Sequence, residues 1–314
     1  MTPSPYVVET AGLTKRFGDR TVVRDVELQV PRGSAFGYLG PNGAGKTTLI
    51  RMLLGLTRAT AGSMRLLGLP VPRRRAEALT RVGAIVEEPR FHGYLTGREN
   101  LEIVAAARDR AAFARIDVAI ERVGLTRRAN DRVKTYSLGM RQRLGIARIL
   151  MADPELLILD EPMNGLDPAG IEETRLLIRS LVAEGRTVVL SSHLLDEVEK
   201  TVDALAIVDQ GRIVAQGSIC ELTRSGPPTL VVGSADNARA RTLLAPLRAV
   251  ASVAAEDGVL RVSLAGRGAA VNDAIAEINR RLVDGGVPVY RLEPEHASLE
   301  QRFLEITSRL EEAA

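Results

Sequence analysis

An α/β fold built on a strand–helix alternation, followed by a smaller α+β unit, is what this sequence predicts, on three observations. The first is the run Gly40-Pro41-Asn42-Gly43-Ala44-Gly45-Lys46-Thr47-Thr48, set between an apolar, strand-like segment (34–39) and an amphipathic helical one (49–54). The second is Leu156-Leu157-Ile158-Leu159, an apolar run that ends in two carboxylates, Asp160 and Glu161. The third is a fresh start after Ser225-Gly226-Pro227-Pro228, where strands and helices alternate anew.

The glycine-rich run matches G-x-x-x-x-G-K-[ST] in the strand–loop–helix context that the pattern needs. Glycines at 40, 43 and 45 let backbone N–H groups turn inward as an anion nest, and the helix N-terminus adds its positive end. Lys46 can reach β- and γ-phosphates, and the Thr47 hydroxyl can ligate Mg²⁺. The chain is therefore expected to bind a nucleotide.

Composition narrows the rest. A chain of 314 residues is long enough for two domains, or one large and one small. Its 42 basic and 39 acidic residues nearly balance, so no nucleic-acid partner is expected. Arg73-Arg74-Arg75 reads as a solvated helix start. The single cysteine, Cys220, excludes a disulfide framework and reads as a small structural residue. Met1 to Pro5 lack the charged and apolar regions of a signal peptide, and no apolar run approaches the roughly 18 residues that span a bilayer. Work at a membrane would go through docking to another protein.

In chain order, residues 6–10 and 21–30 read as alternating strands beside the nucleotide-binding core, with a Gly18-Asp19 turn and Phe17 closing the first arm. A short strand (62–68), a helix (about 73–81) and a strand (82–86) lead to Glu87-Glu88-Pro89. Residues 97–152 show helical periodicity at Leu101, Val104, Ala105 and Arg108, then at Ile116, Ala119, Ile120 and Val123, and read as an inserted helical subdomain spanning about 90–152. His92 is assigned nothing. Ser137 is a candidate helix N-cap. At the end of strand 156–159, Asp160 and Glu161 point to opposite faces and take different jobs, one for Mg²⁺ and one facing the attacking water. Unpaired carboxylates there would be costly, which points to a metal or substrate as their partner. A turn at 164–168, a helix to about 183, a strand ending in Ser191-Ser192-His193, and strands 204–209 and 212–216 around Gln210-Gly211 complete the first domain.

With these pieces placed, residues 6 to about 224 resemble the ATP-binding subunit of ABC transporters, a P-loop NTPase with an antiparallel β subdomain and a helical subdomain. Gly40 to Thr48 is similar to the Walker A loop and Leu156 to Glu161 to Walker B. Ser137, Leu138, Gly139 and Met140, with the Arg141–Arg148 stretch behind them, resemble the family signature. Asp167 resembles the D-loop aspartate, His193 the switch histidine and Phe17 the adenine-stacking aromatic. Two departures, Glu87 where the Q-loop glutamine stands and Leu138 where L-S-G-G-Q has glycine, resemble the bacitracin- and daunorubicin-resistance branch of exporters.

The resemblance implies ATP and Mg²⁺ as cofactors, Thr47, Asp160 and Glu87 as metal ligands, and Lys46, Glu161 and His193 as catalytic residues. It also implies a homodimer in which Ser137–Met140 cover the ATP of the second subunit. That dimer would sit peripherally on the cytoplasmic face of the membrane and drive a separate permease. A soluble ATPase acting on a non-transport partner and an importer subunit are the alternatives.

Residues 229–314 form an accessory domain. Strands at 229–233, 248–254, 258–265 and 287–292, with helices at about 236–247 and 269–284, give the order βαββαβ, a ferredoxin-like arrangement. A final amphipathic helix, Ser298 to Leu310, is expected to pack on the protein or a dimer mate, with His296 in a loop before it. Dimerisation or bracing is the favoured role of this domain.

Overall fold

A computed structural model describes residues 4–223, 228–265 and 269–295, in two compact units, Met1–Ile219 and Cys220–Ala314. The first unit opens on a strand of 12 residues, β1 (Tyr6–Phe17). Both β2 (Arg20–Val26) and β3 (Gln29–Pro31) run antiparallel along successive stretches of it. The single strand expected over 21–30 is thus broken at Glu27-Leu28. Thr10 explains the break: its buried hydroxyl donates to the Val26 carbonyl (2.7 Å) and accepts from the Leu28 N–H (2.8 Å). Both backbone groups dropped by the ladder are satisfied by one side chain.

Next come β4 (Ala35–Leu39), buried at every position, and α1 (Lys46–Leu53). They are followed by the hairpin β5 (Ala61–Leu66) and β6 (Leu69–Val71). Nothing in the sequence marks β6, which Pro70 disguises. The hairpin turn is Leu67-Gly68, with φ of +52° and +79°, a primed turn that suits twisted strands. A helix shorter than the one expected over 73–81, α2 (Arg75–Leu79), leads to β7 (Val82–Ile85).

The helical subdomain holds α3 (Gly97–Ala106), α4 (Arg110–Ala114), α5 (Ile116–Arg122) and α6 (Leu138–Leu150). A capping box opens α3: Thr96 Oγ1 accepts from the Glu99 N–H, and the Glu99 carboxylate accepts from the Thr96 N–H. That second bond holds the Glu99 carboxyl below its ordinary pKa. Leu101, Ala105, Ile116, Ala119, Ile120 and Val123 are buried as their spacing requires, whereas Arg108 lies beyond α3 and is exposed.

Then follow β8 (Leu156–Leu159), α7 (Pro168–Ala183), β9 (Thr187–Ser192), α8 (Leu195–Glu199), β10 (Ala204–Asp209), β11 (Arg212–Ser218) and α9 (Ile219–Thr223). The main sheet has the order β11-β10-β4-β9-β8-β7, parallel throughout except for β11. Its central strands are buried on both faces, which is why they read as continuous apolar runs. Register sets Leu39 beside Ser192 and Leu159 beside Leu190. The loops after β4, β8 and β9 therefore leave the same edge of the sheet, where α/β folds form their ligand crevice.

The second unit contains β12 (Thr229–Ser234), α10 (Asn237–Leu244), β13 (Val250–Glu256), β14 (Val259–Leu264), α11 (Ala269–Asp284) and β15 (Val289–Glu295). Its sheet is antiparallel in the order β13-β14-β12-β15, the strand order of a βαββαβ sandwich. Leu230, Val232, Leu260 and Val262 from the sheet meet Leu244, Ile278 and Leu282 from the helices. His296 and the amphipathic helix expected over Ser298–Leu310 lie outside the described residues.

Candidate nucleotide site

Strand β4 delivers the chain into the glycine loop, and the loop has no room for larger residues at its ends. A Cβ on Gly40 would sit 2.3 Å from the Val208 carbonyl oxygen of β10. One on Gly45, where φ is +97°, would sit 2.6 Å from the Val22 carbonyl oxygen of β2. The loop is pressed between two strand backbones, and Lys46 leaves it as the first residue of α1.

Lys46 is only 6% exposed. Its ammonium donates to the carbonyls of Gly40 (2.6 Å) and Pro41 (3.2 Å) and lies 3.1 Å from Glu161 Oε1. The other carboxylate oxygen of Glu161 is 2.8 Å from His193 Nδ1. One carboxylate thus links the phosphate-loop lysine to the histidine after β9. Glu161 adopts φ +48°, a left-handed conformation that L-residues rarely hold without outside support. Ser191 supplies it: the Glu161 N–H donates to Ser191 Oγ (2.9 Å), whose hydroxyl donates to Asp160 Oδ1 (2.5 Å). Asp160 and Ser191 are both buried. Within the chain itself, Ser191 pairs Asp160, and Lys46 and His193 pair Glu161.

A pocket of about 450 Å³ opens over this array. Asn42, Gly43, Gly45, Lys46, Thr47 and Thr48 line it from the loop side, and Glu161 and His193 from the sheet edge. Arg20, Val22 and Asn164 line it as well, and sequence reasoning missed all three. Alternation along β2 was the available signal for the first two. Ser191 was missed as well, because its role depends on the β8–β9 register. Gly40, Pro41 and Ala44 shape the loop without lining the pocket.

Other expected residues sit elsewhere. Phe17 is exposed, outside the pocket lining, with Lys15 Nζ 4.6 Å above its ring centroid. Glu87 does not line the pocket, and its carboxylate pairs with Arg51 of α1 in a charge-assisted contact.

Ser137 caps α6, its Oγ accepting the Met140 N–H (3.2 Å). Leu138 enters that helix as its first residue with regular geometry, and its side chain packs toward Gly165, while Gly139 faces Leu166. Asp167 caps α7 by accepting the Gly170 N–H (3.0 Å). None of Ser137, Leu138, Gly139, Met140 and Asp167 lines the pocket of its own chain.

The donor set suits a magnesium nucleotide better than a bare ion. Mg²⁺ takes one or two carboxylates, phosphate oxygens and waters rather than an all-protein cage. Thr47 lines the pocket, whereas Asp160 is buried outside that lining with one oxygen accepting from Ser191, and among the described residues no cluster of three His, Cys, Asp or Glu is present. Among the same residues no helix is long and apolar enough to cross a membrane.

Comparison with known proteins agrees with this geometry. The family model described as ABC transporter matches residues 23–164. The bacitracin transport ATP-binding protein BcrA of Enterococcus faecalis is 38% identical over 95% of this chain and 95% of its own length. The daunorubicin resistance ATP-binding protein DrrA3 of Streptomyces coeruleorubidus is 36% identical over 96% and 97% of the two chains. A solved ATP-binding subunit of an ABC transporter superposes with a TM-score of 0.62 at 29% identity, over 69% of this chain and 92% of that one. With the phosphate loop, the paired carboxylates and the histidine gathered at one sheet edge, the chain belongs to the ATP-binding subunits of the ABC transporter family, whose cassettes hydrolyse ATP.

Proposed function

We propose that this chain is the ATP-hydrolysing subunit of an exporter, working as a homodimer on the cytoplasmic face of the membrane and driving a separate permease. The observation that carries the reading is the Lys46–Glu161–His193 chain of contacts inside the pocket. It sets a cation for the phosphates, a carboxylate for the attacking water and a histidine within one hydrogen-bonded unit. Relatives similar along nearly the whole chain are named for bacitracin transport and daunorubicin resistance, which supports export of an antibiotic, drug or lipid-like compound.

On this reading Lys46 turns from its loop carbonyls to the β- and γ-phosphates. Glu161, released from Lys46, orients a water or takes its proton, and His193 steadies the γ-phosphate. Catalysis is mostly positioning and charge stabilisation. Thr47 and Asp160 would hold Mg²⁺, directly or through water, and the ion would neutralise charge on the β- and γ-phosphates. Ser137 and Gly139, which do not line the pocket of their own chain, would cover the nucleotide of a second subunit.

Purification of tagged Glu161→Gln with ATP from detergent-solubilised host membranes tests the proposal. A stoichiometric polytopic partner supports it. Recovery only from the soluble fraction, alone or with ribosomal proteins, refutes it.

A further inference from the structure

Among the described residues, two cations line the nucleotide pocket, Lys46 and Arg20. Lys46 is engaged by Glu161 and by two loop carbonyls. Arg20 is exposed and has no ion pair or side-chain hydrogen bond among the described residues, although Arg16 nearby pairs with Asp19. Its position is fixed by the backbone. Arg20 begins β2 and is the cross-strand partner of Phe17 across the Gly18-Asp19 turn, so the two side chains share one face of the hairpin. Val22, two residues on, shares that face and lines the same pocket, whereas Val23 between Val22 and Arg24 is buried in the core. The Val22 carbonyl lies against Gly45 of the phosphate loop, and Arg20 is roughly 7 Å of strand away from it.

An arginine fork on this wall can meet the far end of an anion held by the glycine loop. We propose that Arg20 is a nucleotide-binding residue whose guanidinium holds the phosphate chain at its ribose end, where nucleoside di- and triphosphates are alike. The glycine loop and Lys46 keep the β- and γ-phosphates, while Arg20 and the Phe17 side of the hairpin take the α-phosphate. This assignment rests on the nucleotide-binding reading above. Arginine suits the task because its planar fork binds phosphate oxygens bidentately, which lysine cannot do.

Titration of the full chain with N-methylanthraniloyl derivatives of ATP and ADP tests it, comparing wild type, Arg20→Ala, Arg20→Lys and Arg24→Ala. Arg20→Ala should weaken both nucleotides by the same factor of about ten, the lower end for a hydrogen bond to a charged group. Arg20→Lys should recover part of the loss. Arg24, exposed on the same strand but outside the pocket lining, controls for net charge, and its variant should stay within about twofold, the spread expected of a screened surface charge. Affinity unchanged in Arg20→Ala, an equal loss in Arg24→Ala, or a loss confined to ATP would each overturn the assignment. If wild type binds neither nucleotide, the functional reading fails instead, so the two failures are distinguishable.

Discussion

Replacing Glu161 by glutamine should make the empty protein less stable and the same protein tighter for ATP, by matching amounts. In the nucleotide-free geometry Glu161 holds Lys46 at 3.1 Å, with the two side chains 22% and 6% exposed. Removing one partner of a fully buried ion pair costs about 3–5 kcal/mol. Here Lys46 keeps two carbonyl acceptors at 2.6 and 3.2 Å, and the substituted glutamine still offers an amide oxygen. The cost therefore falls to about 1–2 kcal/mol, that of a charge-assisted hydrogen bond exchanged for a weaker one. On the proposed reading ATP draws the lysine away from Glu161, so wild type would give up this contact on binding and the variant would have none to give up. By linkage the same energy reappears as affinity, roughly 5- to 30-fold for ATP. Melting without nucleotide should drop by about 2–8 °C for a unit of this size. Scanning calorimetry and a fluorescent-ATP titration read the two arms, with turnover lost in parallel. An unchanged melt together with an unchanged or weakened affinity would show that the Lys46–Glu161 contact carries no weight.

Other outcomes follow from the same geometry. Ser191→Ala removes the acceptor of the Glu161 N–H and the donor to Asp160 at a fully buried position. It should cost about 1–3 kcal/mol in unfolding titrations and lower kcat by roughly tenfold, whereas Ser191→Thr, which keeps the hydroxyl, recovers part of the rate. Gly40→Ala drives a methyl to within 2.3 Å of a β10 carbonyl, whereas Gly43→Ala meets nothing within 4 Å. The first should therefore cost about 2–3 kcal/mol, the second only the roughly 1–2 kcal/mol of its left-handed φ, as thermal melts will show. Glu155 is held below its ordinary carboxyl pKa of 4.5 chiefly by its hydrogen bond from Arg81. A lowered folded value adds stability above the ordinary pKa, and that stability is lost as pH falls through the folded one. Arg81→Ala should accordingly flatten the acid side of a stability–pH curve below about 4.5. Because Arg81 and Glu155 are both about two-fifths exposed, the effect should stay under about 1 kcal/mol.

The parts of the molecule that sequence reasoning recovered are those whose cause is local. The phosphate loop was readable because φ at Gly43 and Gly45 is a property of those residues, and Lys46 follows at fixed spacing. Ser137 was readable as a helix start because a cap needs only the next three residues. What stayed hidden depends on register. Ser191 reaches Asp160 only because β9 pairs with β8, 31 residues apart. Thr10 interrupts a strand through Val26 and Leu28, which no window around Thr10 contains. The partner of Glu87 stayed hidden for the same reason: Arg51 stands 36 residues earlier. The resemblance supplied roles for Asp160, Glu161 and His193, but not the contacts among them.

That Arg51–Glu87 bond joins two working parts of the cassette. Arg51 lies about one and a half turns along the helix that begins at Lys46, and Glu87 heads the segment leading into the helical subdomain. With 43% and 62% of the two side chains exposed, the bond is worth under about 1 kcal/mol. It is a bias of a few-fold in population, not a lock, and ions in solution weaken it further. The phosphate-gripping helix and the entrance to the helical subdomain are thus fastened by a clasp that ordinary thermal motion opens. A neutral glutamine at position 87 would form a weaker hydrogen bond with the same arginine. Carrying a carboxylate there makes ionic strength a control on how freely the two parts move apart.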